Sequence, residues 1–215
     1  MNIKGAIFDL DGTLVNSLED LADSMNHILL THHFPNHSVE AYKNFLGKGI
    51  MNLVRVSLPE TVRDDRTIKN VYDQMVALYR EHCTVQTRPY AGITSLIEEM
   101  KSRNLKLCIL SNKADEFTQK IVRRLLPDCF EIVAGLSTEE EKKPNPKVAL
   151  DMCKKLRTAP GQMLFIGDSG IDMQTALSAG MVGVGVLWGF REREELVKNG
   201  AKIIISYPMD LINHL

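Results

Sequence analysis

A short apolar run at the N-terminus, Ile3 to Phe8, stops abruptly on Asp9, Asp11 and Gly12. A run of this length closed by a glycine turn reads as a buried strand. Side chains alternate along a strand, so both carboxylates point the same way from its C-terminal end. Open α/β sheets hold their ligands at that end of their strands. At about 4 Å and an effective dielectric near 20, two such charges repel by roughly 4 kcal/mol, which calls for a cation between them. Taken alone, the same residues also fit a solvated Asp-Gly turn or a helix N-cap.

The rest of the chain limits the choice. Helical spacing runs from Ser17, a candidate N-cap, to Leu30, then over Ser38–Leu46, Ile50–Leu58 and Asp64–Cys83. No strand is expected between about 16 and 84. After Arg88-Pro89-Tyr90-Ala91-Gly92 the texture changes. Apolar strands at Leu105–Leu110, Glu131–Ala134, Met163–Ile166, Val182–Leu187 and Lys202–Ile205 alternate with helices at Ile93–Arg103, Ala114–Leu126, Pro146–Leu156, Ile171–Ala179 and Glu192–Lys198. A final short helix is expected. Such alternation predicts parallel strands joined by right-handed crossovers. About seventy helical residues are too many for the first crossover, so they read as an inserted domain over the carboxyl edge of the sheet. The expected division is 1–15 with 86–215 for the α/β core and 16–85 for the helical insertion.

Composition narrows the function. Of 215 residues, 44% are hydrophobic and 25% charged, which is globular usage. The net charge is −1, from 26 basic and 27 acidic residues, with no basic stripe, so nucleic acid is not an expected partner. No apolar run reaches the roughly 18 residues of a membrane span, and the N-terminus lacks a signal-peptide pattern. Cys83, Cys108, Cys129 and Cys153 lie too far apart for a zinc motif and read as reduced packing residues of a cytoplasmic protein.

The residues closing the buried runs carry the chemistry. The first run ends in Asp9 and Asp11, the second in Ser111-Asn112, the loop after Ala134 carries Lys142-Lys143-Pro144, and the run at Met163 ends in Gly167-Asp168. Parallel strands would bring all of them to one edge of the sheet. Asp172, four residues after Asp168, lies near it on the first turn of a helix. Several carboxylates with a hydroxyl and a lysine suit a hard divalent cation such as Mg²⁺ and a phosphoryl group, with Lys143 and Ser111 on its oxygens. Singly, Ser111-Asn112 is explained as a helix cap, Lys143 as a solvated loop lysine and Asp168 as an N-cap. Their conjunction is not.

Asp9-Leu10-Asp11-Gly12-Thr13, the strand-terminal Ser111-Asn112, Lys143-Pro144-Asn145-Pro146 and Gly167-Asp168-Ser169 with Asp172 resemble, in order, the four motifs of the haloacid dehalogenase-like hydrolases. The resemblance spans essentially the whole chain. It implies a Rossmann-like parallel sheet core with an inserted all-helical cap domain. It also implies Asp9 as nucleophile, forming an aspartyl-phosphate, Asp11 as general acid and base, and Lys143 as the lysine that neutralises the nucleophile. Thr13, Ser111, Asn112 and Lys143 would bind the phosphoryl group. Mg²⁺ would be held by Asp9, the Asp11 carbonyl and Asp168, with Asp172 in support. Dehalogenase members lack an acid at the position of Asp11, so the implied reaction is phosphate-monoester hydrolysis.

Phe45-Leu46-Gly47-Lys48-Gly49, Arg88-Pro89-Tyr90 and Val186-Leu187-Trp188-Gly189-Phe190 resemble the phosphoglycolate phosphatase-like subfamily. There Gly47 and Gly49 would let backbone approach substrate, and Lys48 would meet a carboxylate; a plain helix-breaking turn explains them equally. The expected substrate is a small phosphorylated metabolite, phosphoglycolate first, acted on by a monomer or homodimer. Competing readings within the chemistry are a pyrophosphatase, a sugar-phosphate or nucleotide phosphatase, and a β-phosphoglucomutase-like phosphotransferase. A phosphoacceptor signalling domain would use a similar residue set without turnover, but has no need of Asp11.

Overall fold

The computed structural model describes residues 2–215, which divide into two compact units: 2–16 with 89–215, and Ser17–Arg88. In chain order the elements are β1 (Gly5–Phe8), β2 (Val15–Asn16), α1 (Leu18–Thr31), α2 (Val39–Phe45), α3 (Ile50–Ser57), α4 (Asp65–His82), β3 (Arg88–Pro89), α5 (Ile93–Ser102), β4 (Lys106–Ala114), α6 (Asp115–Leu125), β5 (Ile132–Leu136), α7 (Lys147–Lys155), β6 (Met163–Gly167), α8 (Gly170–Ala179), β7 (Val182–Val186), α9 (Arg193–Lys198) and β8 (Ile203–Ile205). The expected last helix is a 3-10 segment, Pro208–His214.

The first unit is a six-stranded sheet in the order β5-β4-β1-β6-β7-β8, parallel at every pairing. All four residues of β1 are buried, as a central strand covered on both faces requires. One face packs Ile7, Cys108, Leu110 and Phe165 against Met152 and Cys153 of α7 and Ala176 of α8. Gly5 permits close packing of the ladder, since a Cβ there would sit 2.4 Å from the Lys106 carbonyl oxygen. Because β1 lies between β4 and β6, the strand order reverses around it, and ligands of open α/β sheets bind at that switch point.

One strand boundary differs from expectation. The second apolar run was expected to end at Leu110, but β4 continues through Ser111, Asn112 and Lys113 to Ala114. Ala114 pairs with Leu136 of β5 after a register irregularity beyond Leu110, so these polar residues stay extended and buried.

The helical unit holds α1 to α4 around Leu21, Met25, Leu29, Tyr42, Leu53, Val71 and Met75. Asp64 caps α4, accepting the Thr67 N–H at 3.0 Å. Ser17 precedes α1 but makes no side-chain cap bond, because its φ −105°, ψ 8° is not the extended geometry an N-cap side chain needs. Buried Asp20 joins the two ends of this unit. One oxygen accepts the Gln86 N–H (2.8 Å), and the other accepts the Thr87 N–H (2.8 Å) and hydroxyl (2.6 Å). No described helix is long and apolar enough to cross a membrane.

Candidate active site

β1 and β6, neighbours at the sheet centre, both run out onto aspartates. Asp9 still follows the ladder, its N–H donating to the Ile166 carbonyl at 2.9 Å. Beyond it the chain turns sharply, with the N–H groups of Leu14 and Val15 both donating to the Leu10 carbonyl at 3.0 Å. Gly12 has φ +85°, and a Cβ there would lie 2.3 Å from Asp168 Oδ2. Glycine is thus required twice over, by conformation and by space.

Asp168 leaves β6 and accepts the Phe190 N–H on Oδ2 at 2.7 Å. The loop carrying Phe190 presses closely on it: a Cβ on Gly189 would stand 2.3 Å from Asp168 Cβ. In the same loop Trp188 donates its Nε1–H to the Thr13 carbonyl at 2.9 Å. Ser169 then caps α8 in a capping box with Asp172. Asp172 Oδ2 accepts the Ser169 N–H (3.1 Å) and hydroxyl (2.6 Å), while its Oδ1 accepts from Lys143 Nζ at 2.7 Å. The same ammonium lies 2.8 Å from Asp9 Oδ1. Lys143 is therefore wedged between the ends of β1 and β6.

Asn112 holds that lysine by its backbone. Its Oδ1 accepts the Lys143 N–H at 2.8 Å, and its Nδ2 donates to the Lys143 carbonyl at 3.2 Å. Ser111 is buried and its Oγ accepts the Lys113 N–H at 3.3 Å. Thr13 is fully enclosed, and its hydroxyl has no hydrogen-bond partner among the described residues. Asp11, expected to face the same cation as Asp9, has a lysine of its own. Lys113 Nζ lies 3.1 and 3.0 Å from its two carboxylate oxygens. Sequence reasoning missed Lys113 because the strand was expected to stop before it; the available signal was its place directly after Ser111-Asn112.

Asp9, Asp168 and Asp172 are buried together, each offering a carboxylate oxygen within 4.8 Å of the others. Burial pushes the Asp9 carboxyl up to about 7; Lys143 opposes this, and Asp172 adds to it. Burial, then the charges of Asp172 and Asp9, hold the Asp168 carboxyl well above the usual carboxylate range. Burial alone would lower the Lys143 ammonium, but Asp172 and Asp9 outweigh it and hold its pKa high. Once ionised, three enclosed carboxylates against one enclosed ammonium would carry surplus negative charge, and the three oxygens are close enough together that they could hold a metal ion. An all-oxygen donor set suits Mg²⁺.

Gly47, Lys48 and Gly49 lie in the helical unit, in the turn between α2 and α3. Gly47 and Gly49 take φ +98° and +86°, and Lys48 is exposed.

The chain is thus a doubly wound α/β protein with a buried aspartate–lysine cluster at the switch point of its sheet. Residues 6–186 match the haloacid dehalogenase-like hydrolase family. The chain belongs to that family and is a phosphatase within it. It is 31% identical over 193 residues to a phosphoglycolate phosphatase of Thiobacillus denitrificans, covering 87% of this chain and 85% of the relative. It is 31% identical to a phosphoglycolate phosphatase of Chromobacterium violaceum, covering 98% and 95%. An N-acetylmuramic acid 6-phosphate phosphatase of Pseudomonas aeruginosa is 26% identical over 100% of this chain and 96% of its own length. The crystal structure of a predicted phosphoglycolate phosphatase from Haemophilus somnus superposes with a TM-score of 0.91 at 28% identity, covering 100% of this chain and 98% of that one.

Proposed function

We propose that the chain is a Mg²⁺-dependent phosphatase hydrolysing a small phosphate monoester, phosphoglycolate first among candidates, by way of phosphorylated Asp9. The observation that carries this reading is the unequal setting of two carboxylates two residues apart. Asp9 is enclosed beside Lys143 at 2.8 Å, whereas Asp11 is held separately by Lys113. Pairs of carboxylates set in different surroundings divide the labour of acid–base and nucleophilic chemistry.

Asp9 attacks phosphorus through a carboxylate oxygen, and the bond from phosphorus to the ester oxygen breaks. Asp11 gives its proton to the departing oxygen, so the product leaves as an alcohol. Asp11 then takes a proton from water, whose oxygen attacks the acyl phosphate and releases inorganic phosphate with Asp9 restored. Lys143 lies against the nucleophile and balances charge on it and on the phosphoryl oxygens. Asp172 braces Lys143, and Asn112 fixes its backbone. Ser111 and Thr13 supply hydroxyls for the phosphoryl group. Asp9, the Asp11 carbonyl and Asp168 would hold the metal, with Asp172 in support through Lys143. Bound Mg²⁺ would neutralise phosphoryl oxygens and the carboxylate surplus.

Substrate choice is assigned to the helical unit, where Lys48 offers a cation to a carboxylate-bearing substrate. The relative acting on N-acetylmuramic acid 6-phosphate makes sugar phosphates the second reading. Four free thiols suit action in the cytoplasm. A panel of phosphorylated metabolites assayed with Mg²⁺ and with chelator tests the proposal. Phosphoglycolate should give the highest kcat/KM, chelator should abolish turnover, and Asp9→Asn should be folded and inactive. Normal kcat in Asp9→Asn would remove Asp9 as nucleophile.

A further inference from the structure

Lys113 is not used by the chemistry above, yet it is among the most enclosed cations of the chain, with a side chain only 2% exposed against 19% for the Asp11 carboxylate it meets. An enclosed ammonium is tolerated only when well paired. Its near-equal distances of 3.1 and 3.0 Å to Asp11 Oδ1 and Oδ2 describe a chelated carboxylate, with both oxygens held by one nitrogen. The base of the side chain is fixed as well. The Lys113 N–H donates to Ser111 Oγ at 3.3 Å, and its carbonyl accepts the Thr118 hydroxyl at 3.2 Å. A Cβ on Gly135 would come within 2.7 Å of that carbonyl, so β5 closes over it. Lys113 therefore spans from a pinned strand to one carboxylate.

We infer that Lys113 is a positioning residue for Asp11, resting on the reading of Asp11 as acid and base. It holds that carboxylate in one rotamer and away from the Asp9, Asp168 and Asp172 cluster, where a fourth carboxylate would add to the repulsion. Both proton transfers at Asp11 need the same placement, first toward the ester oxygen and then toward water. Hydrogen-bond reach decides the efficiency of such transfers.

The two steps respond differently to losing this support, which makes the role testable. With p-nitrophenyl phosphate the leaving group needs little protonation, so phosphorylation of Asp9 proceeds while water attack still requires a placed base. Lys113→Met, assayed with Mg²⁺, should lose about 100-fold or more in kcat, the scale of a general acid–base contribution. KM should fall in proportion, leaving kcat/KM within about three-fold, because phosphoryl transfer to Asp9 is spared and only the later hydrolysis slows. Acid quenching at steady state should trap more phosphorylated protein than wild type quenched in parallel. Lys113→Arg, which keeps the charge, should recover at least ten-fold of the loss. Lys113→Gln serves the same comparison if the methionine variant does not fold. A lowered melting temperature with unchanged kcat and no excess of trapped phosphoprotein would overturn the inference. So would a KM rise confined to carboxylate-bearing substrates, since Lys113 would then bind substrate. Asp11→Asn, run alongside, separates this from the reading beneath it. A slow Asp11→Asn with a normal Lys113→Met defeats the role of Lys113 alone, and normal turnover by Asp11→Asn defeats both.

Discussion

Enclosing three carboxylates around one ammonium sets stability against function at single residues, and Asp9 shows the conflict most directly. Its carboxyl is raised to about 7, chiefly by burial. A carboxyl raised on folding contributes stability that is complete below its unfolded value near 3.8 and is lost as pH climbs through about 7. Metal-free wild type therefore carries an unfavourable charge at pH 8 that it lacks at pH 5. Asp9→Asn should raise the melting temperature of the metal-free protein by several degrees at pH 8 and by much less at pH 5, while turnover is abolished. Calorimetry in chelator at the two pH values reads this, and equal shifts would refute it. Asp9, Asp168 and Lys143 were legible in the sequence because each closes or follows a buried run, where charge is out of place. Lys113 and Asp20 were not. Lys113 meets Asp11 across 102 positions of sequence and Asp20 meets Thr87 across 67, and a linear pattern carries no sign of either partner. Asn112 also grips the backbone of Lys143, 31 positions away, a contact that its place after Ser111 does not announce.

Among elements, strand ends were easier to read than the bonds that fasten one element to another. Periodicity located every core strand to within a few residues, because a covered parallel strand is continuously apolar. It ended β4 early because Ser111, Asn112 and Lys113 are polar, whereas their extended path bridges the pairs that Leu110 and Ala114 make with β5 on either side of a register irregularity, a tertiary cause. The loop of Trp188 to Phe190 gave no clue that it holds the Thr13 carbonyl and Asp168. In the helical unit, α1 read correctly as a helix, yet buried Asp20 was indistinguishable from the solvated acids beside it. Its three accepted bonds, two from backbone N–H groups, tie α1 to the segment after α4. Asp20→Ala leaves two of those donors enclosed without partners, at about 1 to 3 kcal/mol each. Urea unfolding should therefore show a loss of roughly 3 kcal/mol. A change under 0.5 kcal/mol would mean that the tie contributes nothing.

For the molecule as a whole, the proposed division of labour between the two units has a direct test. If the helical unit selects substrate, then Lys48→Ala should raise KM about ten-fold for phosphoglycolate and leave p-nitrophenyl phosphate unaffected. Equal effects on both would return Lys48 to the role of an exposed turn lysine. Turnover of p-nitrophenyl phosphate should be indifferent to that change, because Asp9, Asp11, Lys113, Lys143, Asp168 and Asp172 all belong to the other unit. The Asp20 tie gives this independence a mechanical form. Since it draws Gln86 and Thr87 back to the start of α1, the chain leaves the helical unit close to where it entered. To the sheet the whole insertion then counts as a short connection, and the entropy of closing a loop grows only slowly with its length. The helical unit is in effect a cassette with a clasped mouth. Its interior can change length while its two ends stay fastened together by Asp20, so insertions or deletions between α1 and α4 should leave the strand pairing of the sheet as it is.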